Sequence, residues 1–144
     1  MTLTFRYKRV KRQNGTEVKT PSIPITLSTG GAKYDFVALL DSGADVSALP
    51  KAVPELLGVN LYGIREEASG IGGTVQTVQS KLHLEVGRAH ERYYLSIPIK
   101  VILSDDEFPI LLGRAGFFDQ FIITFNQQES RVLLKRVAGT QIIT

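Results

Sequence analysis

The sequence predicts a mostly β domain, a closed or semi-closed barrel with one or two short helices. Three observations predict it: apolar and polar residues alternate with a period of two, turn-forming residues recur at short intervals, and only two segments suit a helix. The chain has 144 residues, which is enough for one domain with a hydrophobic core but short for two. We therefore expect a single domain over residues 1–144.

The strands are predicted from the alternating segments and from the turns between them. The first strand is marked by Leu3, Phe5 and Tyr7, which alternate with polar residues, and N-terminal strands are expected over residues 1–30. The later strand candidates are Ile23–Leu27, Tyr34–Leu40, Val75–Val86, Tyr93–Leu103, Phe121–Phe125 and Arg131–Val137. The turn signals between strands are Asn14-Gly15, Gly30-Gly31, Gly87–Glu91 and Gln127–Ser130.

Several segments carry more specific expectations. Pro24 favours an edge position for its strand, because proline cannot donate to a β-ladder. Tyr34–Leu40 is nearly continuous in apolar residues, which is typical of a strand buried on both faces. A short helix is expected over Pro50–Leu57, with Gly58 just past its end, and a second over Arg114–Gln120.

Composition excludes several kinds of chemistry. The chain has no cysteine, so disulfides and thiolate catalysis are absent. His83 and His90 are not spaced as metal ligands, so we expect no metal and no cofactor. The longest apolar stretch, Tyr93–Leu103, is too short to span a bilayer, and no signal peptide is visible. The expected localisation is therefore cytoplasmic, with no membrane segment.

Positive charge is concentrated near the N-terminus, although the net charge of the chain is only +3. We interpret this cluster as a solvated strand or arm. A contact with nucleic acid or an anionic surface is the alternative, and it is weaker because only Tyr7 is interleaved for stacking. No nucleic-acid partner is expected. The cluster consists of Arg6, Lys8, Arg9, Lys11 and Arg12.

The first chemical motif is Leu-Leu-Asp-Ser-Gly-Ala-Asp over residues 39–45. Asp41 follows an apolar strand directly, so its carboxylate lies at a well-defined strand end. Gly43 allows a sharp turn and close approach of the backbone, and Ser42 supplies a hydroxyl that can donate and accept. The simplest alternative is an ordinary turn, since all three residue types favour turns.

The second motif is the glycine-rich segment over residues 68–74, between two strand-like segments. It predicts a mobile hairpin tip with Ile71 as its one apolar residue, able to cover a cleft. A flexible hairpin with no function is the alternative. A phosphate-binding loop is excluded, because no Lys-Ser/Thr follows and no helix begins there.

The third motif is the apolar run Pro109–Leu112, which ends in Gly113 and Arg114. It is either a core strand followed by a turn, or a strand that crosses beneath the Asp41 loop and lines a cleft. In the second case Arg114 would offer its guanidinium to a nearby carboxylate, and Asp45 is the obvious candidate.

The three motifs in this order resemble the retropepsins, the single-domain aspartic peptidases typified by retroviral proteases. The matching sequences are Leu-Leu-Asp-Ser-Gly-Ala, Gly-Ile-Gly-Gly and Ile-Leu-Leu-Gly-Arg, and the resemblance runs from about Phe36 to Gln120. It implies a homodimeric acid-protease barrel that hydrolyses peptide or protein substrates without a cofactor. The chain departs from retroviral proteases in its longer N-terminal part and in residues 121–144, where a hairpin is a possible dimer interface.

The resemblance also implies roles for individual residues. Asp41 matches the catalytic aspartate, and Ser42 matches the hydroxyl residue that ties two active-site loops together across the dimer. Gly43 and Ala44 complete that loop, and residues 66–78 match the flap. The implied substrate-binding residues are Asp45, Gly70, Ile71, Gly72, Gly73, Ile110 and Leu112, and Arg114 is implied as the ion-pair partner of Asp45.

Aspartic peptidase chemistry needs two carboxylates that share one proton. The sequence holds one Asp-Ser/Thr-Gly triplet and no second copy, so an active enzyme must be a homodimer with Asp41 from each chain. The alternatives are a catalytically silent peptide-binding or dimerisation module on the same barrel, and a basic nucleic-acid-binding barrel.

Overall fold

The computed structural model describes residues 2–63, 65–70 and 73–137. Within these ranges the chain forms twelve strands, one short α-helix and one 3-10 helix. In chain order they are β1 (Thr2–Arg6), β2 (Lys8–Lys11), β3 (Glu17–Thr20), β4 (Ser22–Thr29), β5 (Ala32–Leu40), β6 (Ser47–Pro50), α1 (Ala52–Leu57), β7 (Arg65–Gly70), β8 (Gly73–Arg88), β9 (Glu91–Ile102), β10 (Ile110–Leu112), the 3-10 helix (Phe118–Gln120), β11 (Phe121–Asn126) and β12 (Arg131–Arg136). The prediction of a mostly β chain is confirmed.

Six of the strands close into a barrel. The large sheet has the order β4-β5-β10-β6-β9-β8-β7, and β4 also pairs with β8 from Thr26 to Ser28. This extra pairing joins the two sides of the sheet, so the predicted barrel is confirmed as a closed ring of β4, β5, β10, β6, β9 and β8. The edge position predicted for β4 is therefore wrong at Thr26 to Ser28, while Pro24 lies outside the stretch that pairs with β8.

The longest ladder of the barrel explains how alternation builds the core. On β8 the inward side chains are Val78, Leu82, Leu84 and Val86, as the period of two predicts, and all four are buried. Their cross-strand partners on β9 are also buried, so the pairs pack against each other in the interior. Each fully buried side chain of this size stabilises the fold by about 1.5–3 kcal/mol relative to an exposed one.

A separate three-stranded sheet joins the two ends of the chain, in the order β1-β12-β11. Its β11–β12 hairpin turns at residues 127–130, as predicted. Phe121 docks this sheet on the barrel: its ring centroid lies 5.2 Å from that of Phe117 and 5.5 Å from that of Tyr93. Both of those rings are buried, so the terminal sheet shares the hydrophobic core.

Most of the basic N-terminal cluster lies in a two-stranded hairpin, whereas Arg6 ends β1. Strands β2 and β3 pair with each other and, in the described ranges, with no other strand. The turn uses Asn14 and Gly15, as predicted: Asn14 Oδ1 accepts from the Thr16 N–H, and Gly15 has φ 86°. The side chains of Lys8, Arg9, Lys11 and Arg12 are exposed, which agrees with a solvated arm.

The short helix α1 confirms the helix predicted around residues 50–57. Gly58 ends it in the left-handed region (φ 72°), and its N–H donates to the Glu55 carbonyl at 3.2 Å. With six residues, α1 is far too short to cross a bilayer, and no other helix of residues 2–63, 65–70 and 73–137 is long and apolar enough to do so.

The second predicted helix, over Arg114–Gln120, is wrong. The segment is a turn followed by a single 3-10 turn. Gly116 has φ 81°, a left-handed conformation that interrupts a right-handed helix, and the Asp119 carboxylate accepts its N–H at 3.1 Å.

The expectation that Tyr34–Leu40 is buried on both faces is also wrong. Ala38 and Leu40 are buried, whereas Tyr34 is 43% exposed and Val37 is 50% exposed. Val37 lies on the outer face of β5, and no second layer in the described part of the chain covers it there. Tyr34 alternates in phase with Ala38 and Leu40, so it is exposed on the inward-facing side, near the end of the strand away from Asp41.

Glu85 is a carboxylate at the edge of the core, with its side chain 11% exposed. Partial burial acts to raise the pKa of Glu85. Hydrogen bonds from Lys33 and Tyr94, together with the charge of Arg92, outweigh this effect and hold the pKa below its ordinary value of 4.5. The Lys33 Nζ and an Arg92 nitrogen each lie 3.2 Å from a Glu85 oxygen.

We predict that Glu85→Gln lowers the free energy of unfolding at pH 7 by about 1 kcal/mol, because it removes a charged acceptor. A carboxylate with a lowered folded-state pKa stabilises the fold above its unfolded-state pKa, and this stabilisation is lost as the pH falls through the folded-state value. The difference from wild type should therefore shrink below pH 4.5. Urea unfolding at several pH values measures it. Glu107→Gln, at an exposed position, is the control, and a difference independent of pH would contradict the prediction.

Candidate functional site

Asp41 directly follows β5, at the point where a barrel strand ends. Its backbone N–H donates to the Leu112 carbonyl on β10 at 3.0 Å. Its Oδ1 accepts the Gly43 N–H at 2.9 Å, and its carbonyl accepts the Ala44 N–H at 3.2 Å. The half-buried carboxylate is thus oriented by its own turn, and the turn is attached to the neighbouring strand.

Gly43 provides the close approach that this turn needs. A Cβ atom at position 43 would lie 3.3 Å from Asp41 Oδ1, which is tighter than most contacts of a real Cβ. Glycine therefore lets the backbone N–H face the carboxylate without crowding it.

The Asp41 loop is bonded to the segment after β10 along its whole length. Arg114 N–H donates to the Ala44 carbonyl and Ala115 N–H donates to the Asp45 carbonyl, both at 2.9 Å. The Gly113 N–H donates to the Ser47 hydroxyl at 3.0 Å, in a fully buried position. These bonds connect residues nearly 70 positions apart in sequence, so the loop has little freedom to move alone.

Gly113 lies where the two segments come closest. A Cβ at this position would lie 2.6 Å from the carbonyl carbon and oxygen of Val46 and 2.9 Å from the Ala44 oxygen. All of these are backbone atoms, which cannot move aside as a flexible side chain can. Only glycine fits here without displacing the Asp41 loop.

Asp45 and Arg114 form an ion pair, with Arg114 Nη2 2.6 Å from Asp45 Oδ1. Their side chains are 85% and 56% exposed, so the pair contributes at most about 1 kcal/mol to stability. Its effect is to orient the Asp45 carboxylate beside the loop. The structure thus brings together Asp41, Gly43, Ala44, Asp45 and Arg114.

Ser42 is exposed at the outer side of the same loop. Its hydroxyl makes no hydrogen bond within the described part of the chain. Since a hydroxyl both donates and accepts, it is available to a group from outside this chain.

The glycine-rich segment belongs to a hairpin that projects from the barrel. Strand β7 pairs with β8 from Arg65↔Val78 to Gly70↔Gly73, whereas pairing of β8 with β9 begins only at Thr77. The end of the hairpin is therefore a two-stranded, largely exposed arm. Gly73 has φ 115°. Ile71 and Gly72, the predicted tip, lie outside the described residues.

Ile110 and Leu112 do not lie on an exposed surface, and their place beside a substrate cleft stays a prediction. They are 5% and 1% exposed and belong to the hydrophobic core. Leu111 points to the opposite face and is half-buried, because successive side chains of a strand alternate. On that face it pairs in register with Leu39 on β5 and Ala48 on β6, both also half-buried.

The two histidines belong to segments other than the Asp41 loop. His83 and His90 are exposed on β8 and on the turn that follows it. In residues 2–63, 65–70 and 73–137, no group of three or more His, Asp or Glu side chains is placed to hold a metal ion.

Among known proteins, the chain is similar to solved structures. No protein-family model matches the sequence, and no curated protein matches it. Among solved structures, EIAV protease complexed with an inhibitor has a TM-score of 0.49 and 25% identity, covering 67% of this chain and 83% of its own. A retropepsin-like aspartic protease from Rickettsia conorii has a TM-score of 0.54 and 17% identity, covering 93% of this chain and 91% of its own.

The chain has the retropepsin-like fold. At 17% identity the likeness to the Rickettsia conorii protein concerns the fold alone, and it extends over nearly the whole chain.

Two residues beside the Asp41 loop were not predicted from the sequence as part of the candidate site. Ser47 is fully buried, and its hydroxyl accepts the Gly113 N–H. The sequence indicated its burial through its spacing, because Ser47 alternates in phase with the inward-facing Leu49. Leu111 was missed because Ile110, Leu111 and Leu112 are all apolar, so no alternation shows which of them faces outward.

We predict that Gly113→Ala lowers the free energy of unfolding by about 1–3 kcal/mol, because the added methyl group overlaps backbone atoms of Val46 and Ala44. Thermal or urea unfolding measures the change.

Gly30→Ala is the matched control. A Cβ at Gly30 meets no atom within 4 Å, and its φ lies outside the left-handed region, so its stability should change by less than about 1 kcal/mol. Equal effects of the two substitutions would show that the close approach at Gly113 is not a constraint.

Proposed function

We propose that this protein is an aspartic endopeptidase that acts as a homodimer. The observation that carries the proposal is the Asp41 carboxylate at the end of a barrel strand, oriented by the Gly43 N–H and attached to β10 through Leu112. A rigidly held carboxylate is what general acid–base catalysis on a peptide bond requires. The retropepsin-like fold supports the same reaction.

The proposed chemistry uses one Asp41 from each subunit. Two close carboxylates cannot both be ionised, so the pair holds one proton. The ionised Asp41 removes a proton from water, whose oxygen attacks the scissile carbonyl carbon. The protonated Asp41 donates to the carbonyl oxygen, which forms a neutral gem-diol. Collapse of the diol breaks the C–N bond: the ionised Asp41 takes a proton from a diol hydroxyl, and the protonated Asp41 gives its proton to the leaving amine.

The need for two chains follows from the count of acidic motifs. The sequence holds a single Asp-Ser-Gly triplet, so one chain supplies one carboxylate of the pair. In the proposed dimer, a two-fold axis passes between the two Asp41 loops. The exposed Ser42 hydroxyl, with no partner in the described part of its own chain, is available to bond the partner loop.

Substrate binding is proposed to use the half-buried apolar face beside Asp41. This face consists of Leu39, Leu111 and Ala48, which favours apolar side chains near the cut. The projecting β7–β8 hairpin would close over the peptide as a flap, and Asp45 would accept a peptide N–H.

We predict that Asp41→Asn lowers kcat/KM on a peptide substrate by about a thousandfold, because asparagine cannot exchange the catalytic proton. Cleavage of a quenched fluorescent peptide with an apolar core measures it.

Asp35→Asn is the control: it makes the same chemical change on β5, six residues before Asp41, at an exposed position bonded to Thr26. It should retain activity. Equal cleavage by wild type and Asp41→Asn would refute the catalytic assignment. Peptide binding without cleavage by wild type would favour the silent binding module on the same barrel.

A further inference from the structure

A cavity of about 700 Å³ lies between the β2–β3 hairpin and the barrel. The barrel side is formed by Leu39 on β5 and by Phe108 and Pro109, which lead into β10. The hairpin side is formed by Val10, Lys11 and Arg12 with the turn that follows. Val10 is 43% exposed, although it is a large apolar residue.

This cavity adjoins the candidate active site. Leu39 precedes Asp41 by two residues, so their Cα atoms lie about 7 Å apart along an extended chain. Pro109 leads directly into β10, whose Leu112 carbonyl accepts the Asp41 N–H. Both barrel segments that bound the cavity therefore end at the Asp41 loop.

The hairpin is attached at the same end of β5. The Leu40 N–H donates to the Pro21 carbonyl at 3.0 Å, and the hydroxyls of Thr20 and Ser22 bond each other at 2.8 Å. These contacts hold the base of the hairpin one residue away from Asp41, so its basic side chains extend from the edge of the site.

The β2–β3 hairpin is more positively charged than the rest of the molecule. Residues 8–20 contain five basic side chains and one acidic side chain, a net charge of +4, whereas the whole chain carries +3. Glu17 pairs with Arg9 at 3.8 Å. Within the described ranges, no carboxylate lies within 4 Å of Lys11 or Arg12, so both are free to meet an anionic group. The one acidic residue of the cavity lining is Glu107.

We propose that the β2–β3 hairpin is an outer wall of the substrate cleft and selects peptides with acidic side chains two to four residues from the scissile bond. The inference rests on the proposed peptidase function. An extended peptide advances about 3.3 Å per residue, so its side chains two to four residues from the scissile bond would extend past Leu39 toward Lys11 and Arg12, which line the same cavity. A homodimer presents two such walls, one on each side of the cut, so acidic residues are favoured on both sides.

The test uses two fluorogenic peptides with the same apolar core, carrying either Glu or Gln at the third and fourth positions on each side. Wild type should cleave the Glu peptide with a kcat/KM about fivefold higher, since exposed ion pairs have modest energies. The preference should weaken as salt is raised. In Arg12→Glu it should disappear or reverse.

Lys81→Glu is the matched control, because it reverses one exposed charge on β8 outside the cavity lining. It should keep the wild-type preference. Equal cleavage of both peptides by wild type, or equal preferences in Arg12→Glu and Lys81→Glu, would overturn the inference.

Fluorescence anisotropy of the same peptides on Asp41→Asn separates the two proposals. If wild type cleaves neither peptide, the proposed function fails, but the binding measurement still tests the role of the hairpin. Tighter binding of the Glu peptide, lost when Arg12→Glu is added, supports that role. Equal binding of the two peptides overturns it.

Discussion

The set of backbone hydrogen bonds between the Asp41 loop and the segment 112–115 is the constraint on which the rest of the site depends. Three of these bonds are made by backbone groups of Asp41, Ala44 and Asp45, and a fourth is made by the buried Ser47 hydroxyl. They require the two backbones to approach so closely that only glycine fits at position 113. A carboxylate on an ordinary turn is held by that turn alone, whereas Asp41 is attached to the two barrel strands β5 and β10.

Closure of the barrel is what brings these distant segments together. Strand β10 lies between β5 and β6 in the sheet and runs parallel to β5. Leu112 therefore lies beside Leu40, at the end of β5 that Asp41 follows. The pairing of β4 with β8 closes the ring on the other side. The Asp41 loop therefore depends on contacts between residues far apart in sequence, and distant core substitutions are expected to affect the site through this ring.

Much of the fold was predictable, because local patterns determine it. Alternation on β8, the Asn14-Gly15 turn and the Gly58 helix end each depend on a few neighbouring residues. The predictions that were wrong concern segments whose conformation or burial depends on tertiary contacts. Gly116 adopts a left-handed conformation inside a segment with helical composition, and β5 is apolar although Val37 on its outer face is 50% exposed.

The candidate site was likewise predictable only in part. Asp41, Asp45 and Arg114 could be proposed from the sequence because their residue types carry the chemistry, and the structure places them on two bonded segments. The roles of Ile110 and Leu112 could not be judged, since three consecutive apolar residues hide which side chain faces outward. The position of the basic hairpin beside Leu39 could not be predicted from the sequence, because it exists only in the folded chain.

The central claim is that Asp41 is half of an active site, and the stoichiometry of a transition-state analogue tests it most directly. Titration calorimetry with a statine-type peptide measures how many chains bind one molecule. Our account predicts one analogue for every two chains, with binding strongly weakened in Asp41→Asn. One analogue per chain, or equally tight binding by Asp41→Asn, would contradict it.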